Sequence, residues 1–464
     1  MNAHRRNVHD ESGISRRRFI TGLGVGATAA GAAGYGLSVW RDDGAGSSST
    51  GGAPRAATRL TPTTLGGRSD RTLVVVELGG GNDGLDTVVP MADPAYRTLR
   101  PTLGVTDAIA LDDQIGLHPN LAKLAARYQG GQVAIVEGLG YPDPNLSHFA
   151  SLGYWWSGVP GESGSAGWLG RYLDGTVGFE DPLAAVGIGP VPSPALLGTH
   201  SFATSITDTS GLQPRLPAWV DDVDGLVAAW GGFAPASPDP TTVLGPVQDA
   251  IRLTVQARAR LERDLGYGAR SGAGSGAGSG AEGSDGASAA RAAPGAAQGA
   301  GYARDASVTE SLTLAAQLVA SAHPPRVVYV SGLGDFDTHQ GQAQRHPQLM
   351  ADLDAGLDAF FTTLDAAGET DRAVVMTVSE FGRRPGENGS GTDHGTAGPQ
   401  FVIGSAVKGG RYGAPPSLTN LDAHGNLVHT TDFRALYATV LAGWFGVDPA
   451  PVIGKGFGPL SLFA

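Results

Sequence analysis

Five short apolar runs rich in β-branched residues punctuate this chain, and each stops abruptly at glycines or polar residues. They are LVVVEL (73–78), QVAIVE (132–137), RVVYV (326–330), AVVMTV (373–378) and QFVI (400–403). Runs apolar on both alternating faces suit strands covered from both sides, which is the condition of a parallel sheet. The intervening segments have helical periodicity. Val308, Leu312, Ala315 and Val319 form one stripe, and Leu349, Leu353, Leu357, Phe360 and Leu364 form another. Residues 121–128 and 432–445 read as further helices, the latter with Leu436, Val440 and Trp444 on one face. The pattern predicts an α/β fold, a mostly parallel central sheet flanked by helices on both faces.

Composition shifts mark what lies outside that pattern. SRRRFI (15–20) precedes a Gly/Ala-rich, weakly apolar stretch to about residue 40. This resembles a twin-arginine export signal and is too rich in small residues for a stable membrane anchor. Residues 1–40 are therefore expected to be an address read by the twin-arginine translocation machinery. Residues 41–70 read as a tether, so the folded domain is expected over 71–464. The expected location is outside the cytoplasm, with membrane contact only through the N-terminal signal. Residues 190–246, rich in Pro, Gly and Asp, read as an irregular insertion. Residues 267–304, nearly all Gly, Ala and Ser, read as a disordered loop.

Charge and residue usage narrow the chemistry. Lys and Arg number 32 against 44 Asp and Glu, a net charge of −12, which argues against nucleic-acid partners. There are no cysteines, so thiolate metal sites and cysteine nucleophiles are excluded. Redox chemistry is disfavoured as well, since no dinucleotide fingerprint is present. Oxygen and imidazole groups remain, and they recur just past the strand ends, where open parallel sheets collect ligands. After the first run come Asn82 and Asp83, and after the second Asn145, Ser147 and His148. Asp337 and His339 follow the third; Glu380, Arg383, Asp393 and His394 follow the fourth. Singly these have plain explanations: Asp83 as a turn or cap residue, Ser147 as a helix N-cap, His148 and His339 as hydrogen-bonded structural histidines. Together, from segments far apart, they form the hard-oxygen and imidazole set that a divalent metal site needs.

The stretches LVVVELGGGNDGLDTVVP, QVAIVEGLGYPDPNLSHF, FDTHQGQ, VVMTVSEFGRRPGENGSGTDHGTAGPQFVIG and HTTDFRALYATVLAGWFG resemble the domain of unknown function 1501 family. Its members are twin-arginine exported proteins of the alkaline phosphatase/sulfatase superfamily, and the resemblance spans about 73–460. It implies an alkaline phosphatase-like domain with one or two divalent ions (Zn, Mn, Mg or Ca). On it, Asp83, Asp337, His339, Glu380 and His394 match metal positions, and Ser147 falls near the nucleophile. Two departures stand out. Phe381 replaces the histidine of an expected Asp-His pair, and Asp337 and His339 are two apart where phosphatases usually space theirs by four. Asp393 is a candidate substitute ligand.

The implied function is hydrolysis or transfer of a phosphate or sulfate ester on a small molecule or glycan. Ser147 would be the nucleophile and Arg383, whose planar fork matches an oxyanion, a catalytic partner. Asn82, Asn145 and His148 would contact substrate. The competing expectation is a non-catalytic exported binding or envelope-assembly protein on a degenerate hydrolase scaffold; Trp155, Trp156 and Trp168 could line a glycan groove for it, core packing being their plainer explanation.

Overall fold

A computed structural model describes residues 65–161, 166–178, 181–206, 223–239, 242–265 and 307–463. The export signal, most of the tether, the Gly/Ala/Ser loop and parts of the 190–246 insertion lie outside these residues. All five expected strands form: β1 (Thr72–Glu77), β2 (Val133–Gly140), β5 (Val327–Val330), β6 (Ala373–Val378) and β7 (Gly398–Ile403). Four more join the same sheet: β3 (Ala185–Ile188), β4 (Thr204–Ile206), β8 (Gly410–Tyr412) and β9 (Thr431–Asp432). The strand order is β8-β2-β7-β6-β1-β5-β3-β4, with β9 pairing β2 beside that path. β1 runs parallel to both neighbours, and β7 alone is antiparallel to the strands on either side. Because β7 reverses direction twice relative to the rest, β2 points the same way as β6. The C-terminal ends of β1, β2, β5 and β6 therefore share one edge.

Alternation along each strand divides the core into two layers. Val74, Val76, Val328, Val330, Val375 and Ile135 face one way and pack with α1 (Ala122–Gln129), α4 (Val308–Val319) and α5 (Gln342–Ala367). Leu73, Val75, Val327, Tyr329, Val374 and Val136 face the other way and pack with α2 (His148–Ser157), α3 (Trp168–Thr176) and α6 (Phe433–Thr439). A helix layer on each face of the sheet explains why the runs are apolar throughout. The fold is α/β. The expected last helix is present, but after α6 it widens into a π-helical turn over Val440–Trp444, with Leu436, Val440 and Trp444 all buried. Trp155 and Trp168 are also buried, stacked on Phe433 and Tyr437 respectively, and Trp156 donates to Glu77. Of the two explanations for these tryptophans, core packing is the one that holds, not a glycan groove. Residues 223–239 and 242–255 fall in a second compact unit, where Gln248 donates to the Phe233 carbonyl at the end of helix Val223–Phe233.

One buried ionic network holds the loops at the sheet edge. Asp83 caps the short helix Gly84–Thr87 and its Oδ2 accepts from Arg100 at 2.8 Å, from Gln342 and from Thr392. Arg100 also pairs with Asp86 and donates to the carbonyls of Arg384 and Pro385. Burial would raise the Asp83 carboxyl, but the Arg100 charge holds it below the usual carboxylate range; burial and the Asp83 charge push Asp86 upward. Asp83, expected as a metal ligand, is thus engaged in a structural ion pair, because Arg100 satisfies it from within the protein. Gln342 takes part as the first residue of α5, whose sixth residue, Pro347, leaves one intrahelical hydrogen bond unmade. Arg100→Ala leaves Asp83 and Asp86 buried without their cation and should cost about 3–5 kcal/mol in equilibrium urea unfolding. A loss below about 1 kcal/mol would show that the network does not support the fold.

Candidate metal centre

The loop after β1 can enter the site only as glycine. Gly80 and Gly81 have φ of 109° and 81°, a region that L side chains rarely adopt. A Cβ on Gly80 would lie 2.4 Å from the Asp337 backbone nitrogen, and one on Gly81 2.3 Å from the Phe381 ring. The loops after β1, β5 and β6 are therefore pressed together, and Arg383 ties them. Its guanidinium is fully buried and donates to the carbonyls of Gly80, Gly81, Phe336 and Thr392 and to Asp337 Oδ1. Arg383, expected to hold a substrate oxyanion, has spent its donors on the protein. It is neither the oxyanion partner nor paired with Glu380 or Glu387.

Around Asp337 three imidazoles converge in the same orientation. His394 Nδ1 donates to the Leu146 carbonyl at 2.8 Å, and its Nε2 lies 3.1 Å from Asp337 Oδ1. His339 Nδ1 meets Asp393 Oδ1 at 3.0 Å, and its Nε2 lies 3.2 Å from Asp337 Oδ1 and 2.9 Å from His394 Nε2. His148 Nδ1 meets Glu380 Oε1 at 3.0 Å, and its Nε2 lies 3.5 Å from Asp337 Oδ2. An acceptor on each Nδ1 sets the tautomer in which a neutral Nε2 presents a lone pair. Outward acceptors holding Nδ1–H while Nε2 faces a shared carboxylate is the arrangement that orients imidazoles toward a cation. His148, Asp337 and His394 each offer a ligand atom within 4.8 Å of the others. Two imidazole lone pairs 2.9 Å apart repel unless a proton or a cation lies between them. Glu380 Oε2, buried with no partner among the described residues, is a further polar atom left for a small guest. The donor set fits a divalent ion with mixed nitrogen and oxygen ligation.

The sequence-derived candidates sort accordingly. Asp337, His339 and His394 come together, joined by His148, which the sequence placed with substrate rather than with the metal. Glu380 is fully buried; its Oε1 accepts from Gly80 N and His148, so it backs a ligand. Asp393 is exposed and turns to His339 Nδ1 and Asn388 instead of inward. Asn82 is buried against Thr87, Ser379 and His346, away from substrate, because its side chain closes the turn beneath β1. Asn145 Oδ1 accepts from Ser147 N. Ser147 is exposed at the N-terminus of α2 and makes no side-chain capping bond there. It stands between Leu146, whose carbonyl holds His394, and His148. Phe381 packs against His148 and His394, with ring centroids 5.1 and 4.5 Å away, so the residue in the expected histidine position forms the wall of the cluster.

Sequence reasoning overlooked Glu77. It ends β1, accepts from Trp156 and from Tyr329, and burial pushes its carboxyl up to about 7. A charged residue closing a wholly apolar strand was the available signal.

The electrostatics favour protons where a cation would go. Burial would raise Asp337, but hydrogen bonds from His148, His394 and Arg383 and the Arg383 charge hold it well below the usual range. Hydrogen bonds to Asp337 and Glu380 push His148 up to about 9. In the metal-free protein that raised pKa contributes stability fully below about 6.5, lost as pH rises through about 9. Metal must displace the same proton. Affinity for Zn²⁺ or Mn²⁺, measured by isothermal titration, should therefore climb with pH and flatten above about 9. A flat profile below that point would remove His148 from the ligand set. Asp393→Ala should weaken binding about 10- to 100-fold by freeing His339.

Comparison with known proteins adds the following. The chain is similar to a protein in the alkaline phosphatase superfamily from Vibrio parahaemolyticus, at 10% identity and a TM-score of 0.33, covering 86% of this chain and 72% of that one. It is also similar to alkaline phosphatase from the Antarctic bacterium TAB5, at 7% identity and a TM-score of 0.26, covering 73% of this chain and 92% of that one. A variant of the latter with magnesium bound gives 8% identity and a TM-score of 0.28, with the same coverage. No curated protein matches the sequence. The α/β class rests on the sheet order and helix layers of this chain itself. Residues 255–457 match the family described as protein of unknown function, DUF1501.

Proposed function

We propose that this protein is an exported, metal-dependent hydrolase or transferase acting on a phosphate or sulfate ester. The observation that carries this reading is the convergence of three imidazole Nε2 atoms on one carboxylate, each ring held by an outward acceptor. His148, Asp337, His339 and His394 would hold one divalent cation, of Zn, Mn, Mg or Ca. When bound, that ion supplies Lewis acidity to an ester oxygen. Ser147 is the nucleophile: its Oγ bonds to phosphorus or sulfur as the ester bond to the alcohol oxygen breaks, its proton ending on that oxygen so that the alcohol leaves. Water (or an acceptor alcohol) then takes the group from Oγ and returns a proton to it. The backbone N–H groups of the first turn of α2, not occupied by a Ser147 cap, are available to the developing oxyanion. Glu380, Asp393 and the Leu146 carbonyl keep the imidazoles aligned, and Phe381 shields them from water on one side. Export by the twin-arginine route rests on SRRRFI and the small-residue stretch behind it. Among the described residues no helix is long and apolar enough to cross a membrane.

One observation favours a second reading, a non-catalytic binding or envelope-assembly role. Arg383 already pairs with Asp337, so protein charge alone compensates that carboxylate. Elemental analysis of the purified full chain separates the two. Stoichiometric divalent metal supports the hydrolase; metal-free protein that still binds cell-wall glycan supports the alternative. In the metal-bound case His394→Ala should lose the ion and reduce turnover of phenyl phosphate or phenyl sulfate about 100-fold or more. Ser147→Ala should retain the ion and lose turnover. Full turnover in Ser147→Ala would remove it as nucleophile.

A further inference from the structure

Resting on the hydrolase reading, we infer that Phe149 is a stacking platform for the alcohol portion of the ester, so that preferred substrates carry a flat apolar face, either an aryl ring or a sugar ring. Phe149 is 80% exposed, whereas Phe233, the other exposed phenylalanine among the described residues, is 48% exposed. It follows directly on Ser147 and His148 in the first turn of α2, one residue after the cluster histidine.

The segment that presents it is rigid. Tyr141 is buried; its hydroxyl accepts from Asn145 N at 3.2 Å and meets Ser151 Oγ at 2.6 Å, and Ser151 in turn donates to the Glu380 carbonyl. Asp143 has φ of 51°, and it is the one non-glycine residue with positive φ among the described residues. Aspartate tolerates that left-handed region as a turn residue better than most side chains do. A fixed loop thus ends in an exposed serine, a cluster histidine and an exposed aromatic ring in succession. Leaving a whole phenyl ring in water forgoes apolar burial, which substrate binding recovers. Stacking on such a ring is selective for groups with a flat apolar face and indifferent to small alcohols.

The test compares wild type, Phe149→Ala and Phe149→Tyr as full metal-loaded chains on phenyl, glucosyl and methyl esters of phosphate and of sulfate. Phe149→Ala should raise KM about 5- to 10-fold for the phenyl or the glucosyl ester, with kcat unchanged, the methyl ester unaffected and Phe149→Tyr restoring wild-type values. Whichever ester responds identifies the source of the face. Equal effects on all three esters, or none, would overturn the platform. If wild type turns over no ester, the hydrolase reading fails separately. The platform is then read by titrating phenylphosphonate against methylphosphonate: selective loss of phenylphosphonate binding in Phe149→Ala upholds it, and unchanged or absent selectivity overturns it.

Discussion

The candidate centre depends on the buried guanidinium of Arg383. It gathers carbonyls from the loops after β1, β5 and β6 and adds an ion pair to Asp337. A planar group with five donors can satisfy several convergent carbonyls at once, which a lysine ammonium cannot do with the same geometry. The loops carry few apolar residues of their own, so their positions come from this fork and from Arg100 beneath it. Asp337 is consequently fixed in place before any ligand arrives, and the three histidines are arranged around a carboxylate that cannot swing away.

Two buried cations therefore do different work at one sheet edge. Arg100 balances Asp83 and Asp86 and pins the loop after β6 through its carbonyls. Arg383 holds the carboxylate that faces the imidazoles. Thr392 joins them, accepted by Asp83 on its side chain and accepting from Arg383 on its backbone. The result separates structural carboxylates, kept from solvent by arginine, from the partly open Asp337 and its histidines.

Much of this was legible in the residues. Runs apolar on both faces and intervening helical stripes identified the sheet, five of its strands and both helix layers. The clustering of Asp337, His339 and His394 followed from their place beyond parallel strand ends. Other assignments failed for physical reasons that no spacing reveals. Asp83 and Arg383 have the right chemistry for a site but are neutralised by partners 17 and about 46 positions away in the chain. The strands β3, β4, β8 and β9, two to four residues long, were missed because none is a continuous β-branched run such as RVVYV, which revealed β5 at the same length as β3. His148 was undervalued because a lone histidine after a proline-rich turn looks structural until its neighbours are placed.

The parallel pairing of β1 with β5 has a consequence for how the centre comes into being. β1 leaves the ribosome early, yet its partner in register lies about 250 residues later, so the central ladder cannot close until most of the chain has been made. Such non-local topology slows folding and leaves an apolar strand waiting. The histidine cluster, whose members span residues 148 to 394, cannot form before His394 has been made. A half-made chain therefore lacks the arrangement in which those imidazoles face Asp337, and that arrangement marks a nearly complete domain.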